Sequence, residues 1–505
     1  MSSQKKRPNI LFIMSDDHAF HAISSYTKNN PNRNLINETP NIDRIADEGM
    51  RFNNCFCTNS ICTPSRASIL TGKYSHENGV TTLSTMMNNK QLTFPKLLQK
   101  AGYQTGMVGK WHLGQGNKHK PTGFDYWIVL PGQGLYHNPI MIEMDVKKRI
   151  HGYVTDIITE KSINWLKSID REKPFMLMCH HKAPHRPWEP DEKHKDMYKN
   201  EKIPIPQTFN DDYSNRAHAA AHAFMSIENA LHAHDLKIMP PENIGFYEPI
   251  PMPDTIENYK IETDTGDIVT FTSNQDLKEF KYQRYIKDYL RCIAAVDDSV
   301  GEILKYLEEQ KLIDDTIIIY TSDQGFFLGD HGWYDKRFMY EESLRMPFLI
   351  RYPKEIEPKT TNDAIILNVD FAETFLDYAG IKIPKKMQGR SFRSLLNDKK
   401  PKDWQDALYY RYWVNGTYHR VYAHYGIRTL KYKLIYYYCD PLRQKGARKD
   451  KHEPEWELFD LEEDPYEMNN VYNDPEYRDI VKNLKHKLHE LQAKVGDKRY
   501  KKDKD

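Results

Sequence analysis

Five short apolar runs constrain this chain more than any other feature: Ile10–Met14, Gln104–Val108, Phe175–Cys179, Thr316–Tyr320 and Pro347–Arg351. Several lack the alternation of apolar and polar residues that a half-exposed strand needs. Strands apolar on both sides suit a parallel sheet covered on both faces. Between them the spacing turns helical. Ile286, Tyr289, Leu290, Ile293, Val296, Val300, Ile303, Leu304 and Leu307 recur at three- and four-residue steps and stop just before Thr316. Strand and helix alternate over about 370 residues, which predicts an α/β fold with a large, mainly parallel sheet sandwiched by helices.

The chain has 505 residues, more than the roughly 100–200 typical of one domain. The regular pattern spans residues 1–399, with a less regular insertion at about 189–285 that contains an Ala/His helix around Ala217–Ala233. Polar and aromatic strand candidates follow at Leu408–Tyr412, His419–Tyr425, Tyr432–Tyr438 and Trp456–Asp460. With a closing amphipathic helix carrying Ile480, Leu484, Leu488, Leu491 and Val495, they predict a smaller α+β unit on an antiparallel sheet at 400–496. The Lys-rich tail at 497–505 is expected to be frayed and solvated.

Charge and targeting exclude several classes. The formal net charge is +1, without the basic excess of a nonspecific nucleic-acid or membrane-surface binder. No window of about 18 apolar residues is present, so no membrane partner is expected. Ile10–Met14 is too short for a signal segment and is interrupted by Asp16 and Asp17, which predicts a cytoplasmic location. Six cysteines in a chain of this length do not suggest a disulfide framework.

The chemistry lies in the residues just past each run. Ile10–Met14 leads to Asp16 and Asp17, Gln104–Val108 to Lys110 and His112, Phe175–Cys179 to His181 and His185, and Thr316–Tyr320 to Asp323 and Gln324. Ligands in open α/β sheets bind beyond the carboxyl ends of the strands, so these groups can meet in one site. Taken singly, each is as well explained as a helix cap or a packed side chain. Asp16, Asp17, Asp323 and Gln324 form a hard oxygen set that prefers Ca²⁺ or Mg²⁺. Three buried carboxylates without a cation would repel one another.

One further segment is dense with signals: Cys62-Thr63-Pro64-Ser65-Arg66-Ala67-Ser68-Ile69-Leu70-Thr71-Gly72. Pro64 suits a first helical turn and Gly72 a helix stop. Cys62 would stand at the helix start, where free amides favour anions, with Arg66 on the same face one turn later. Spacing alone leaves two readings, an anion-binding site or a structural cysteine beside a capped helix.

This segment, as Cys-x-Pro-Ser-Arg-x-x-x-Leu-Thr-Gly, resembles the signature of the type I sulfatases of the alkaline phosphatase superfamily. Further blocks match in the family's order: Pro8 through Asp17, Gly109 through Gly114, Lys182-Ala183-Pro184-His185, Ser322-Asp323-Gln324-Gly325, Gly329 through Lys336, and Trp456 through Asp460. The resemblance implies an alkaline phosphatase-like fold and sulfate-ester hydrolysis. It implies that a maturase converts Cys62 to formylglycine (3-oxoalanine), and that Asp16, Asp17, Asp323, Gln324 and the modified Cys62 hold calcium. Gln324 departs from the more usual Asn or His but keeps an oxygen donor. Arg66, Lys110 and Lys336 match the cations around the sulfate, and His112 and His185 the catalytic histidines. His181 matches nothing firm.

Residues 335–342, with Gly132-Gln133-Gly134 and His424 through Arg428, resemble the carbohydrate branch of the family, most nearly its N-acetylglucosamine-6-sulfatases. The resemblance implies a sulfated mono- or oligosaccharide from glycosaminoglycan or mucin as partner, with Asp335, Arg337 and His424 on the sugar. Two other readings stay open at this level. One is a phosphodiesterase or phosphonate monoester hydrolase of the same superfamily. The other is a sugar-binding protein whose cysteine is never modified.

Overall fold

The computed structural model describes residues 7–28, 30, 33–397, 399–449 and 451–503. Its main sheet has ten strands. The order across it is Thr360–Asn362, Met50–Phe52, Phe348–Arg351, Thr316–Ser322, Asn9–Ser15, Phe175–His180, Gln104–Lys110, Tyr126–Leu130, Ile140–Glu143 and Val146–Arg149. The central strands pair in parallel. Antiparallel pairings flank them, and the strand expected at Pro347–Arg351 belongs to these: it runs antiparallel to Thr316–Ser322.

The apolar runs lack alternation because both faces are covered. Ile10, Phe12 and Met14 belong to one core, and Leu11 and Ile13 to the other. The first core packs under the helices Cys62–Thr71 and Phe371–Tyr378. The second packs under Val154–Ser168 and Asn274–Glu309. Burying each such aliphatic side chain contributes about 1.5–3 kcal/mol. The long helix begins at Asn274, well before the Ile286 periodicity, because Ser273 caps it by accepting a bond from the Asp276 amide.

The first core continues into a four-stranded antiparallel sheet, Ala407–Tyr412, His424–Thr429, Tyr432–Tyr437 and Glu455–Asp460, backed by the helix Arg478–Val495. This sheet therefore stands on the Cys62 side of the molecule. Its second strand does not start at His419 as expected. Thr417 and Arg420 adopt left-handed backbone angles, Gly416 bridges Val421, and the Asn415 side chain accepts from the Ala423 amide, so residues 415–423 form a tight loop.

Two other expectations are corrected. The Ala/His stretch is not one helix around Ala217–Ala233 but two short ones, His218–His222 and Ala233–Leu236. Between them the backbone is taken up by distant partners: Phe224 N bonds His419 O, Ile227 N bonds Gly332 O and Tyr334 N bonds Met225 O. Long-range pairing outcompetes local helix propensity there. The tail is not frayed through residue 503. Asp497 accepts from Tyr409 and Arg411, Asp503 accepts from Tyr425, and Tyr500 is buried.

Arg411 is itself buried and lies over the Trp413 ring at 3.7 Å. Asp497→Ala would strand this cation, so it should lower stability by about 2–4 kcal/mol. Urea unfolding should report this as a lower midpoint with an unchanged slope. A midpoint equal to wild type would return the tail to a passive role.

Candidate active site

The parallel register brings the strand ends together. Met14 lies opposite His180, Ser15 opposite Ser322, and Gly109 opposite His180. Asp16, Asp17, Lys110, Asp323 and Gln324 therefore emerge side by side, all buried. The helix Cys62–Thr71 points its first turn at them. It is buried along its whole length and stops at Gly72, whose φ is 61° and where a Cβ would meet the Glu373 carboxylate at 2.6 Å. Asp17, His112, Asp335 and Arg337 all have positive φ. Non-glycine residues seldom adopt that region, and such strain persists where surrounding structure fixes it.

Cations interleave with the carboxylates. Arg66 Nε donates to Asp323 Oδ2 at 2.9 Å, and another of its nitrogens donates to the Lys110 carbonyl at 2.8 Å. Lys110 Nζ donates to Asp16 and to Gln133. Lys336 Nζ reaches both Asp17 oxygens, at 2.5 and 2.6 Å. Gln324 Nε2 also donates to Asp17, and lies 3.9 Å from Cys62 Sγ. His185 presents Nε2 at 3.8 Å from Asp17, its Nδ1 bonding the Arg186 carbonyl. His112 Nδ1 stands 3.4 Å from the Thr63 hydroxyl.

Burial pushes the Cys62 thiol up to about 12, against the pull of Lys336. Burial likewise pushes Asp17 up to about 6, opposed by Lys336 and reinforced by Asp323. His112 is held well below the ordinary histidine value, by burial first and then by Lys110 and Arg66.

The residues present fit a hard cation. Asp16, Asp17 and Asp323 each offer an oxygen within 4.8 Å of the others, as do ligand atoms of Asp16, Cys62 and His185. Asp16 Oδ1 and Gln324 Oε1 are buried without a hydrogen-bond partner, which is costly for a polar atom. A divalent ion would take both.

Asp335, Arg337 and His424 are the residues expected on the sugar. Asp335 and Arg337 flank Lys336. Asp335 Oδ1 accepts from Lys336 N at 2.8 Å and from Arg337 Nε at 3.0 Å, and Arg337 also donates to the Tyr412 hydroxyl at 3.3 Å. His424 is fully buried and packed against Tyr410, Tyr412, Tyr437 and Phe338, and its Nε2 has no hydrogen-bond partner. It is His419 that meets Asp335, at 3.4 Å. Sequence reasoning passed over His419 because its position reads as the opening of a strand. It also left Lys182 unassigned, although the residue sits in the Lys182-Ala183-Pro184-His185 block. Lys182 is buried, lies over the Tyr136 ring at 4.5 Å, and is pushed by burial down to about 8. His181 turns away, toward Ser299 on the long helix.

Comparison with known proteins decides the family. The model of the sulfatase family matches residues 8–381. The chain belongs to the sulfatase family. Residues 329–494 also match the C-terminal module described for N-sulphoglucosamine sulphohydrolase. This sulfatase is 46% identical to an N-acetylglucosamine-6-O-sulfatase of Bacteroides thetaiotaomicron, across 98% of this chain and 88% of the relative. It is 26% identical to the N-acetylglucosamine-6-sulfatase of Capra hircus, across 97% of this chain and 84% of that protein. A solved structure described as a complex with its substrate D-glucosamine-2-N,6-O-disulfate superimposes with a TM-score of 0.87 at 44% identity, covering 99% of this chain and 100% of the other. The protein is a sulfuric ester hydrolase with the alkaline phosphatase-like fold expected from its motifs.

Proposed function

We propose that this sulfatase removes the 6-O-sulfate of N-acetylglucosamine, or of a close glucosamine relative, in glycans derived from glycosaminoglycan or mucin. The observation that carries the reading is a buried cluster of cations and carboxylates near Cys62, with Arg66, Lys110 and Lys336 suited to sulfate oxygens and the adjoining Asp335, Arg337 and His419 suited to sugar hydroxyls. The similarity to the Bacteroides 6-O-sulfatase supports the sugar and the position.

Asp16, Asp17, Asp323, Gln324 and the modified Cys62 would hold calcium or magnesium, which when bound supplies positive charge to the sulfate oxygens. As formylglycine, Cys62 would supply a hydrated aldehyde, with one hydroxyl available to attack sulfur and a second through which sulfate could be expelled. Arg66, Lys110 and Lys336 hold the oxygens as negative charge moves to the bridging oxygen. His185 or Lys336 gives the leaving alcohol its proton. His112, kept neutral, takes a proton from the second hydroxyl.

Turnover of 6-O-sulfated N-acetylglucosamine should exceed that of 2-O- or N-sulfated sugars. A phosphate ester on the same aryl group as a good sulfate substrate should be the poorer one. Preference for the phosphate ester would transfer the protein to the phosphohydrolase reading. Intact mass should be about 18 Da below the sequence value, the change from thiol to aldehyde.

Asp335→Ala tests the sugar rim. Removing a group that pairs with a substrate hydroxyl costs about 1–3 kcal/mol, so kcat/KM for the preferred sugar should fall roughly 5–150-fold. A small aryl sulfate without those hydroxyls should be much less affected. Equal losses on both would mean that Asp335 acts through the Lys336 backbone it already bonds.

A further inference from the structure

A run of unpaired charge lies outside the candidate active site. Residues 443–451 read Arg443-Gln444-Lys445-Gly446-Ala447-Arg448-Lys449-Asp450-Lys451, five cations against one carboxylate in a chain of net charge +1. Lys451 pairs with Asp440 at 3.5 Å. Arg443, Lys445, Arg448 and Lys449 are exposed, and among the described residues their side chains have no ion pair or hydrogen bond. Like charges so close repel one another, and among the described residues no carboxylate pairs with these four to offset that cost.

The loop is nevertheless tethered. Thr81 Oγ1 bonds Gln444 Oε1 at 2.7 Å, and Gly446 runs so close to Ser84 that a Cβ would lie 2.8 Å from its hydroxyl. Arg448 N bonds the Asn415 carbonyl at 2.8 Å. Each tether belongs to a segment that continues to the pocket. Beyond Ser84, Met87 N bonds Leu113 O and Met86 packs on Gly114, next to His112. Beyond Asn415 lies His419, which meets Asp335.

We propose that this loop is an accessory site for the anionic remainder of a sulfated glycan, the sulfates and carboxylates of sugars beyond the one in the pocket. The inference rests on the sulfated-glycan reading above. Short Lys/Arg-rich runs are common footprints for heparin-like or nucleic-acid polyanions. Attachment of the loop to Thr81, Ser84 and Asn415, on segments that lead toward His112 and His419, favours the glycan.

The test is the variant R443Q/K445Q/R448Q/K449Q, whose changes are all on exposed side chains. Its melting temperature should equal that of wild type. For a sulfated glycosaminoglycan oligosaccharide at low salt, kcat/KM should fall on the order of ten-fold, mainly through KM, and its dependence on salt should flatten. Turnover of the 6-O-sulfated monosaccharide should stay within about two-fold, since no pocket charge changes. An unchanged preference for the oligosaccharide over the monosaccharide would overturn the proposal. If neither sugar is desulfated the activity reading fails, and the loop is then judged by direct titration with the same oligosaccharide. Binding lost in the variant supports the site, and equal binding overturns it. A single-stranded oligonucleotide of equal charge that binds wild type as tightly would overturn the glycan assignment.

Discussion

Cys62→Ala and Cys62→Ser should both fold and both lose turnover on the order of 10⁴-fold or more, the scale of removing a nucleophile. The expectation follows from the environment of the residue. Cys62 opens a helix buried along its whole length, and burial pushes its thiol up to about 12. Burial favours the neutral thiol of the unmodified side chain, whereas the thiolate is the form that attacks. A single thiol beside Lys336, Arg66 and Gln324 also lacks the two hydroxyls that the proposed turnover uses. Serine at this position would retain one hydroxyl, so it could attack once, but it has no second hydroxyl from which sulfate could be expelled. Both changes are small in volume, and melting temperatures should move little. Protein whose intact mass shows an unaltered Cys62 should be as inactive as the variants. Near-native turnover by Cys62→Ala would remove the residue from the chemistry.

The clustering of these polar residues was legible because it is written locally. Asp16, Lys110 and Asp323 each follow an apolar run within a few residues, and a parallel sheet delivers such positions to one edge. The Cys62 helix was legible for the same reason: Pro64 and Gly72 punctuate it, and the structure ends it at Gly72. The features that escaped depend on contacts between distant parts of the chain. Residues 223–227 carry helical-looking sequence but spend their backbone bonds on Gly332, Tyr334 and His419. His419 gains its meaning only when a loop of left-handed turns sets it against Asp335. The tail reads as lysines, yet Asp497, Tyr500 and Asp503 fix its course by meeting Arg411 and Tyr425, buried partners in the antiparallel sheet. Composition describes the majority of a segment, and here the minority decides.

Asp323→Ala should empty the metal site and lower activity at least about 100-fold, since loss even of an outer partner of a metal ligand costs 10–100-fold. Asp323 is fully buried and has three tasks in the site. It offers one of three mutually close carboxylate oxygens, its Oδ2 takes Arg66 Nε at 2.9 Å, and its Oδ1 takes the Asp17 amide at 3.2 Å. The alanine variant removes an anionic ligand, frees the guanidinium that should grip sulfate, and releases the turn carrying Asp17. Asp323→Asn separates these effects, because it keeps an oxygen and a bond to Arg66 while losing the charge that attracts the ion. Its metal content should fall with less damage to thermal stability than in the alanine variant. Elemental analysis of active wild type should find about one calcium or magnesium per chain, as a hard oxygen set requires. Chelation should abolish turnover, and either ion should restore it. Active protein containing zinc, or no metal at all, would leave Asp16, Asp17 and Asp323 as partners of Lys110, Lys336 and Arg66 alone, and the two orphaned oxygens on Asp16 and Gln324 would need another explanation.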